Sequence, residues 1–138
     1  RTFVDWQKTN GKFDQRHCLT DRNTEECGYN LAHKMMKGPK PPDVLVTGSD
    51  NMAVGVYRAL HELGLSIGDN IAVASFNDIS VAQFLHPPLT TIRLPSEEIG
   101  EAAVDLLLER LGGRVIGKRI ILASKLVWRS STRKPPRS

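Results

Sequence analysis

Polar side chains that could bind a small ligand occur where three predicted strands end. They are Asn23 after residues 16–19, Ser49 and Asp50 after residues 44–47, and Asn77 and Asp78 after residues 71–76. In an open sheet of parallel strands, the ligand cleft lies beyond the carboxyl ends of the strands. Amide, hydroxyl and carboxylate groups can bridge neighbouring hydroxyls of a ligand and distinguish their stereochemistry. These residues therefore predict a crevice for a small polyhydroxylated molecule.

The same residue types also have a purely structural interpretation. Asp50 stands where it could cap the helix that follows it, and Asn77 and Asp78 could simply form a turn. The two interpretations are compatible, because a residue that caps a helix at the end of a strand also faces the mouth of the cleft. The spacing alone leaves both open.

Alternating strand and helix patterns must position these side chains. The chain predicts helices at residues 1–10, 24–37, 51–63, 80–85 and 96–111, and strands at residues 16–19, 44–46, 71–76, 90–93, 120–122 and 126–128. Asn10 and Gly11 form a turn signal that ends the first helix. Such alternation indicates an α/β fold, with an open, mostly parallel sheet and helices on both faces.

Charge and composition limit the possible functions. The chain has 138 residues, of which 40% are hydrophobic and 25% charged, as in soluble globular proteins. Its net charge of +4 comes from eight Lys and Arg residues after position 113, where no Asp or Glu occurs. The excess lies in the closing strands and in a tail, 133–138, which we expect to be a disordered, solvated end rather than a phosphate-binding arm.

Other chemistries lack their usual motifs. The sequence contains no glycine-rich phosphate loop and no nucleophile elbow, so we expect neither catalysis nor a cofactor. The spacing of Cys18 and Cys27 relative to His17 and His33 matches no common zinc pattern. No apolar run reaches the roughly 18–20 residues needed to span a bilayer, so no membrane partner is expected.

Four segments together resemble a known family. They read PDVLVTGSDNMAVG at 42–55, ASFNDI at 74–79, PPLTTIR at 87–93 and LVWRSST at 126–132. In this order and spacing they resemble the effector-binding domain of the lactose/galactose repressor family of bacterial transcription regulators. The resemblance extends from Phe3 to about Thr132. It implies a fold like that of the periplasmic binding proteins, with this chain forming mainly the C-terminal subdomain.

The resemblance also implies roles for the residues at the strand ends. Asn77 stands where family members usually place an aspartate that holds the effector, and Ser49 where an asparagine is common. Asn23 stands where purine- and lactose-type members often have a stacking aromatic ring, so its presence favours a sugar over a purine. The effector-binding residues implied are Asn23, Ser49, Asp50, Phe76, Asn77 and Asp78.

An assembly and a division of the chain follow from the same resemblance. It implies a homodimer with Val54, Tyr57 and Leu85 in the interface, although these residues could instead complete the core. Residues 1–95 would form the effector-binding subdomain and 114–132 its closing strands. The helix at 96–113 would pack on an N-terminal subdomain, so without that subdomain its apolar face would be exposed or buried against another copy.

The predicted function is that of a cytoplasmic repressor fragment that senses a small effector, most simply a sugar. Operator DNA would bind through an upstream headpiece absent from this chain, and the effector would shift the dimer between two states. The alternative is a periplasmic sugar-binding protein of a transport system, which shares the fold. A small α/β enzyme is a third interpretation, for which the sequence supplies no nucleophile or cofactor motif.

Overall fold

The structure is a computed structural model that describes residues 2–11 and 13–132. Its helices are α1 (Thr2–Thr9), α2 (Glu25–Met36), α3 (Asp50–Glu62) and α4 (Ser96–Leu111), and its strands are β1 (Val44–Val46), β2 (Ala72–Asn77), β3 (Thr90–Arg93) and β4 (Lys125–Val127). Two 3-10 turns lie at Gln15–His17 and Ser80–Gln83. The tail 133–138, predicted to be disordered, lies outside the described residues.

The four strands form one open sheet in the order β1-β2-β3-β4. The first two pairings are parallel and the β3–β4 pairing is antiparallel. The predicted α/β fold with a mostly parallel sheet is therefore confirmed. Because the parallel strands run in the same direction, the segments that follow β1, β2 and β3 lie at one edge of the sheet.

Helix α3 supplies more residues to the hydrophobic core than any other element. Its inner face carries Ala53, Val56 and Leu60, which are at most 4% exposed. These side chains join Val73 of β2 and Leu89 in one cluster of buried residues. This burial explains why a pattern with a 3.6-residue period predicted the helix correctly.

Helices α2 and α3 pack so closely that only glycine fits at their contact. A methyl group on Gly55 would lie 1.8 Å from the carbonyl oxygen of Glu25, and one on Gly28 would lie 2.1 Å from that of Met52. Backbone atoms rather than flexible side chains block the space. These two glycines therefore allow α2 and α3 to pack directly against each other.

Three local predictions were wrong. Residues 16–19 form no strand, because the Asp14 side chain accepts a hydrogen bond from the Arg16 amide and caps the turn at Gln15–His17. Residues 120–122 also form no strand; β4 occupies the free edge of β3, and Ile121 is 84% exposed. Helix α3 is capped by Ser49 rather than Asp50, since the Ser49 hydroxyl accepts from the Met52 amide at 3.4 Å.

Helix α4 has the predicted bounds but buries none of its residues. Its apolar side chains are widely exposed: Val104 by 55%, Leu107 by 57%, Leu108 by 60% and Leu111 by 75%. Among residues 2–11 and 13–132, no helix is both long enough and apolar enough to cross a bilayer.

Candidate functional site

Asp50 begins α3 at the carboxyl end of β1 and is 1% exposed. One of its carboxylate oxygens accepts from the Thr91 hydroxyl at 2.8 Å, and the other accepts from the Ile79 amide at 2.9 Å. The carboxylate also lies at a helix N-terminus, where the helix dipole favours a negative charge. Asp50 therefore ties β1, β3 and the loop after β2 together, and both of its oxygens are engaged.

Asp78 follows β2 and lies between two arginines. Its side chain is 3% exposed. Arg129 contacts one carboxylate oxygen at 2.8 Å, and Arg93 contacts the other through Nε at 2.6 Å and Nη2 at 2.5 Å. Burial raises the pKa of the Asp78 carboxyl, but the hydrogen bonds from Arg129 and Arg93 outweigh it and hold this pKa below its ordinary value. Asp78 is thus a charged anchor at neutral pH.

Asn77 has an unusual backbone conformation beside this anchor. Its φ is +112° and that of Asp78 is +56°, two consecutive residues other than glycine at positive φ. Such conformations cost of order 1–3 kcal/mol each and cluster at ligand sites. The Asn77 side chain is exposed and makes no hydrogen bond within the described part of the chain. Its amide is therefore available to a ligand.

Asn23 and Ser49 lie at the end of β1. The Asn23 carbonyl oxygen lies 3.1 Å from the position that a methyl group on Gly48 would occupy, so it lies against this strand end. Ser49 is half-buried, and its hydroxyl oxygen accepts from the Met52 amide, which leaves its O–H able to donate. Phe76, paired in register with Ile92, is 36% exposed.

A cavity of about 410 Å³ opens at the β1 edge of the sheet. It lies between β1, α2 and residues 13–21, where the predicted strand at 16–19 would have lain. Of the six predicted effector-binding residues, Asn23 alone lines it. The structure thus places Asn23 at the cavity, and Asn77 with Asp78 at the carboxyl end of β2, the strand next to β1.

Sequence reasoning missed the residues that hold this site together. They are Thr90, Thr91, Arg93, Arg129 and Ser131. The Ser131 hydroxyl donates to the Val73 carbonyl at 2.6 Å and accepts from the Thr90 amide at 2.7 Å. The signal was present in the segments TTIR and LVWRSST, which resemble family motifs. Their purpose was invisible because most of their partners lie about 40 or more positions away, and even Asp78, the partner of Arg93, lies 15 positions away.

The residues predicted for a dimer interface differ in exposure. Tyr57 is 7% exposed and packs in the core of its own chain, where its hydroxyl donates to the Pro87 carbonyl at 2.9 Å. Burial raises the pKa of Tyr57 to about 12. Val54 and Leu85 are half-buried, whereas neighbouring Phe84 is 76% exposed. Tyr57 therefore offers little surface to a partner.

No group of three His, Cys, Asp or Glu side chains in the described ranges could hold a metal ion. Cys18 and Cys27 are both free and half-buried.

A model of the periplasmic binding protein-like domain matches residues 1–132. Over 113 residues the chain is 53% identical to the lactose operon repressor of Rhizobium radiobacter, a match that covers 82% of this chain and all of that sequence. This chain belongs to the lactose/galactose repressor family. It is also 35% identical to the transcriptional regulator GalR of Streptococcus thermophilus, across 96% of this chain but only 41% of that protein.

Solved structures show the same architecture for this family member. A LacI-family regulatory protein from Chloroflexus aggregans superposes with a TM-score of 0.86 at 29% identity, covering 95% of this chain and 48% of that one. A lac repressor dimer bound to operator and an anti-inducer gives 0.74 at 30% identity, with coverages of 79% and 38%. A LacI-family regulator from Enterococcus faecium with bound ribose gives 0.71 at 26%, with coverages of 79% and 40%.

These relatives are transcription regulators. The interpretation as part of a repressor is therefore confirmed, and the periplasmic transport alternative is not supported. The chain spans less than half the length of the GalR relative and of these three solved chains.

Proposed function

We propose that this repressor-family chain senses a neutral, polyhydroxylated effector, a sugar, at the carboxyl ends of β1 and β2. The observation that carries the proposal is Asn77, whose exposed amide makes no hydrogen bond among the described residues although its backbone is held at φ +112°. A strained, well-anchored backbone beside an unoccupied amide is typical of a binding residue.

The groups left for a ligand are neutral. Both oxygens of Asp50 and both oxygens of Asp78 already accept hydrogen bonds from the protein. The groups that can still bind are the amides of Asn23 and Asn77, the Ser49 hydroxyl and the exposed ring of Phe76. Amides that donate and accept suit sugar hydroxyls, and an aromatic ring suits the apolar face of a sugar. Asp50 and Asp78 would hold these contact residues in place.

Similar proteins support the sugar class. One relative is a lactose operon repressor, and one solved neighbour contains ribose. The neutral donor set fits such ligands better than a phosphorylated one, which would require a cation free of other partners. Arg129 is held by Asp78 and the Leu89 carbonyl, and Arg93 already directs its Nε and Nη2 at Asp78.

The rest of the proposed mechanism concerns the whole protein. Residues 1–95 and 114–132 would form the C-terminal subdomain, and α4 would pack on an N-terminal one. The exposure of Leu107, Leu108 and Leu111 supports this division. Effector binding between the subdomains would shift a cytoplasmic homodimer between DNA-competent and DNA-incompetent states. The lac repressor dimer on its operator supports this picture. The chain itself would perform no catalysis.

The dimer would form around Val54 and Leu85. The 76% exposure of the adjacent Phe84 supports an interface on this surface, whereas buried Tyr57 would act by supporting it from within.

Isothermal titration calorimetry with lactose, D-galactose and D-ribose tests the proposal on this chain and on the complete product of its gene. We expect one sugar to bind and Asn77→Gly to weaken binding by about 10-fold, the equivalent of one or two lost hydrogen bonds. Glycine is chosen because alanine would be strained at φ +112°. The control is Asn30→Ala, which removes an exposed amide from α2. Failure of every sugar to bind the complete protein would contradict the proposal.

A further inference from the structure

The conformation of Asn77 needs an external restraint. Asparagine reaches a φ near +60° fairly easily, but +112° lies outside that region. A single strained residue at the end of a strand would relax to ordinary extended backbone if the next residue were free to move. The next residue, Asp78, is not free, because its backbone amide donates to the Thr91 hydroxyl at 3.3 Å and its carboxylate lies between two arginines.

The two arginines differ in how firmly they hold Asp78. The Arg93 side chain is 56% exposed, so water competes for its hydrogen bonds and screens its charge. The Arg129 side chain is 16% exposed, and its Nη1 donates both to Asp78 at 2.8 Å and to the Leu89 carbonyl at 2.8 Å. Arg129 therefore provides the more rigid of the two contacts.

Arg129 is itself held by the segment that carries it. Its backbone amide donates to the Thr90 hydroxyl at 2.9 Å, and Ser131 bonds to both β2 and β3. Hydrogen bonds therefore fix residues 129–131 to β2 and β3, and the Arg129 side chain in turn fixes Asp78. A strained residue persists only when its surroundings determine its position in this way.

We infer that Arg129 is a positioning residue for the effector: through its ion pair with Asp78 it holds the Asn77 backbone at positive φ and so sets where the Asn77 amide meets the ligand. The effect of Arg129 on ligand affinity rests on the proposed sugar-sensing function. Its effect on the Asn77 backbone, the structural half of the inference, does not depend on any ligand. The inference assigns a binding role to a residue that lies 52 positions from Asn77.

The structural half is tested by nuclear magnetic resonance on the ligand-free 138-residue chain. The three-bond coupling between the amide and α protons of Asn77 is small at φ +112° and large for an extended strand. We expect a small coupling in the parent chain and an increase in Arg129→Met. Arg129→Lys, which keeps the charge, should restore the small value at least in part. Arg58→Met, which removes an exposed arginine paired with Glu62, is the matched control and should change nothing at Asn77.

Asp78→Asn provides a second test in case Arg129→Met does not fold. It removes the negative charge of the pair and keeps the size of the side chain. It should also increase the Asn77 coupling. An unchanged coupling in any folded variant that lacks the Arg129–Asp78 pair would overturn the inference.

The functional half is tested by calorimetry with the same three sugars. Groups that orient metal ligands change metal affinity by about 10- to 100-fold when removed. By analogy we expect a loss on the order of 10-fold in Arg129→Met and partial rescue in Arg129→Lys. Unaltered affinity in a variant whose Asn77 coupling has changed would refute the role in binding. If the parent chain and the complete protein bind no sugar, the proposed function fails, while the coupling still decides whether Arg129 positions Asn77.

Discussion

The sheet and helix α4 differ in how far their side chains find partners within this chain. At the carboxyl ends of β1 and β2, the buried side chains of Asp50 and Asp78 have partners within this chain, among them Thr91 of β3. Helix α4 also carries apolar residues at helical spacing, yet it has no buried residue, and Leu111 is 75% exposed. The buried polar groups of one region are satisfied within this chain, whereas the apolar face of the other is left exposed.

The contrast indicates where stability and where assembly are encoded. Burial of apolar surface is the main favourable term in folding, so a helix with no fully buried residue adds little to the stability of this chain. Monomeric proteins rarely expose a continuous apolar patch of this kind. The exposed face of α4 fits the proposal that it packs against a second subdomain, whereas the network around Asp78 fits a prebuilt site.

The largest expected effect compares one leucine from each region. Leu60→Ala on α3 should lower the free energy of unfolding by about 3 kcal/mol, because the side chain is 0% exposed and its removal leaves a cavity. Leu107→Ala on α4, where the side chain is 57% exposed, should change it by less than about 0.5 kcal/mol. Urea denaturation of both variants measures the difference.

Equal losses of unfolding free energy in Leu60→Ala and Leu107→Ala would contradict the contrast between the core and α4. They would mean that α4 is buried in solution, and sedimentation equilibrium would then show whether a second copy covers it.

A smaller effect is expected from Ser131, which lies in the closing segment, residues 129–132 after β4. Ser131→Ala should lower the free energy of unfolding by about 2 kcal/mol, because it leaves the Thr90 amide and the Val73 carbonyl without the hydroxyl that they share. Ser130→Ala is the matched control, since Ser130 is exposed. Thermal unfolding of both variants measures the effect. If the two variants unfold at the same temperature, the hydrogen bonds of Ser131 to β2 and β3 do not stabilise the sheet.

The smallest expected effect is a dependence on pH. Because the pKa of Asp78 is lowered in the folded chain, its ion pairs stabilise the fold above the ordinary aspartate pKa of about 4 and are lost as pH falls through the lowered value. Asp78→Asn should therefore be less stable than the parent chain at pH 7. The gap should narrow by on the order of 1 kcal/mol below about pH 4.

Urea denaturation from pH 7 to pH 3 follows this gap. A difference that stays constant over the whole range would show that the Asp78 ion pairs contribute nothing to folding.

Much of the architecture was predictable from local patterns. The strand at Thr90–Arg93 and the helix at Ser96–Leu111 have the predicted bounds, and α3 differs from its prediction by one residue at each end. Apolar periodicity and turn residues act over a few positions, so the sequence alone carries them. The strands predicted at 16–19 and 120–122 failed because a strand also needs a hydrogen-bonding neighbour, which local sequence does not specify.

The candidate site was only partly predictable. Asn77 was singled out by its place after a strand and by a family resemblance, and neither indicated its positive φ. Asp50 was predicted as a helix cap, but Ser49 takes that role, because the Asp50 carboxylate turns to Thr91 and Ile79 instead. Local spacing could not distinguish the two, since both residues stand at the start of α3.

The sequence by itself determined the secondary structure of the long periodic segments, the fold class and the family. Only the tertiary structure decided which charged and polar side chains are left to bind a ligand. Asp78 became an anchor because Arg93 and Arg129 meet it from 15 and 51 positions away, and Asn77 was left free beside it. The physical reason is that hydrogen-bond partners are chosen by proximity in space, and folding brings together residues whose separation along the chain carries no local signal.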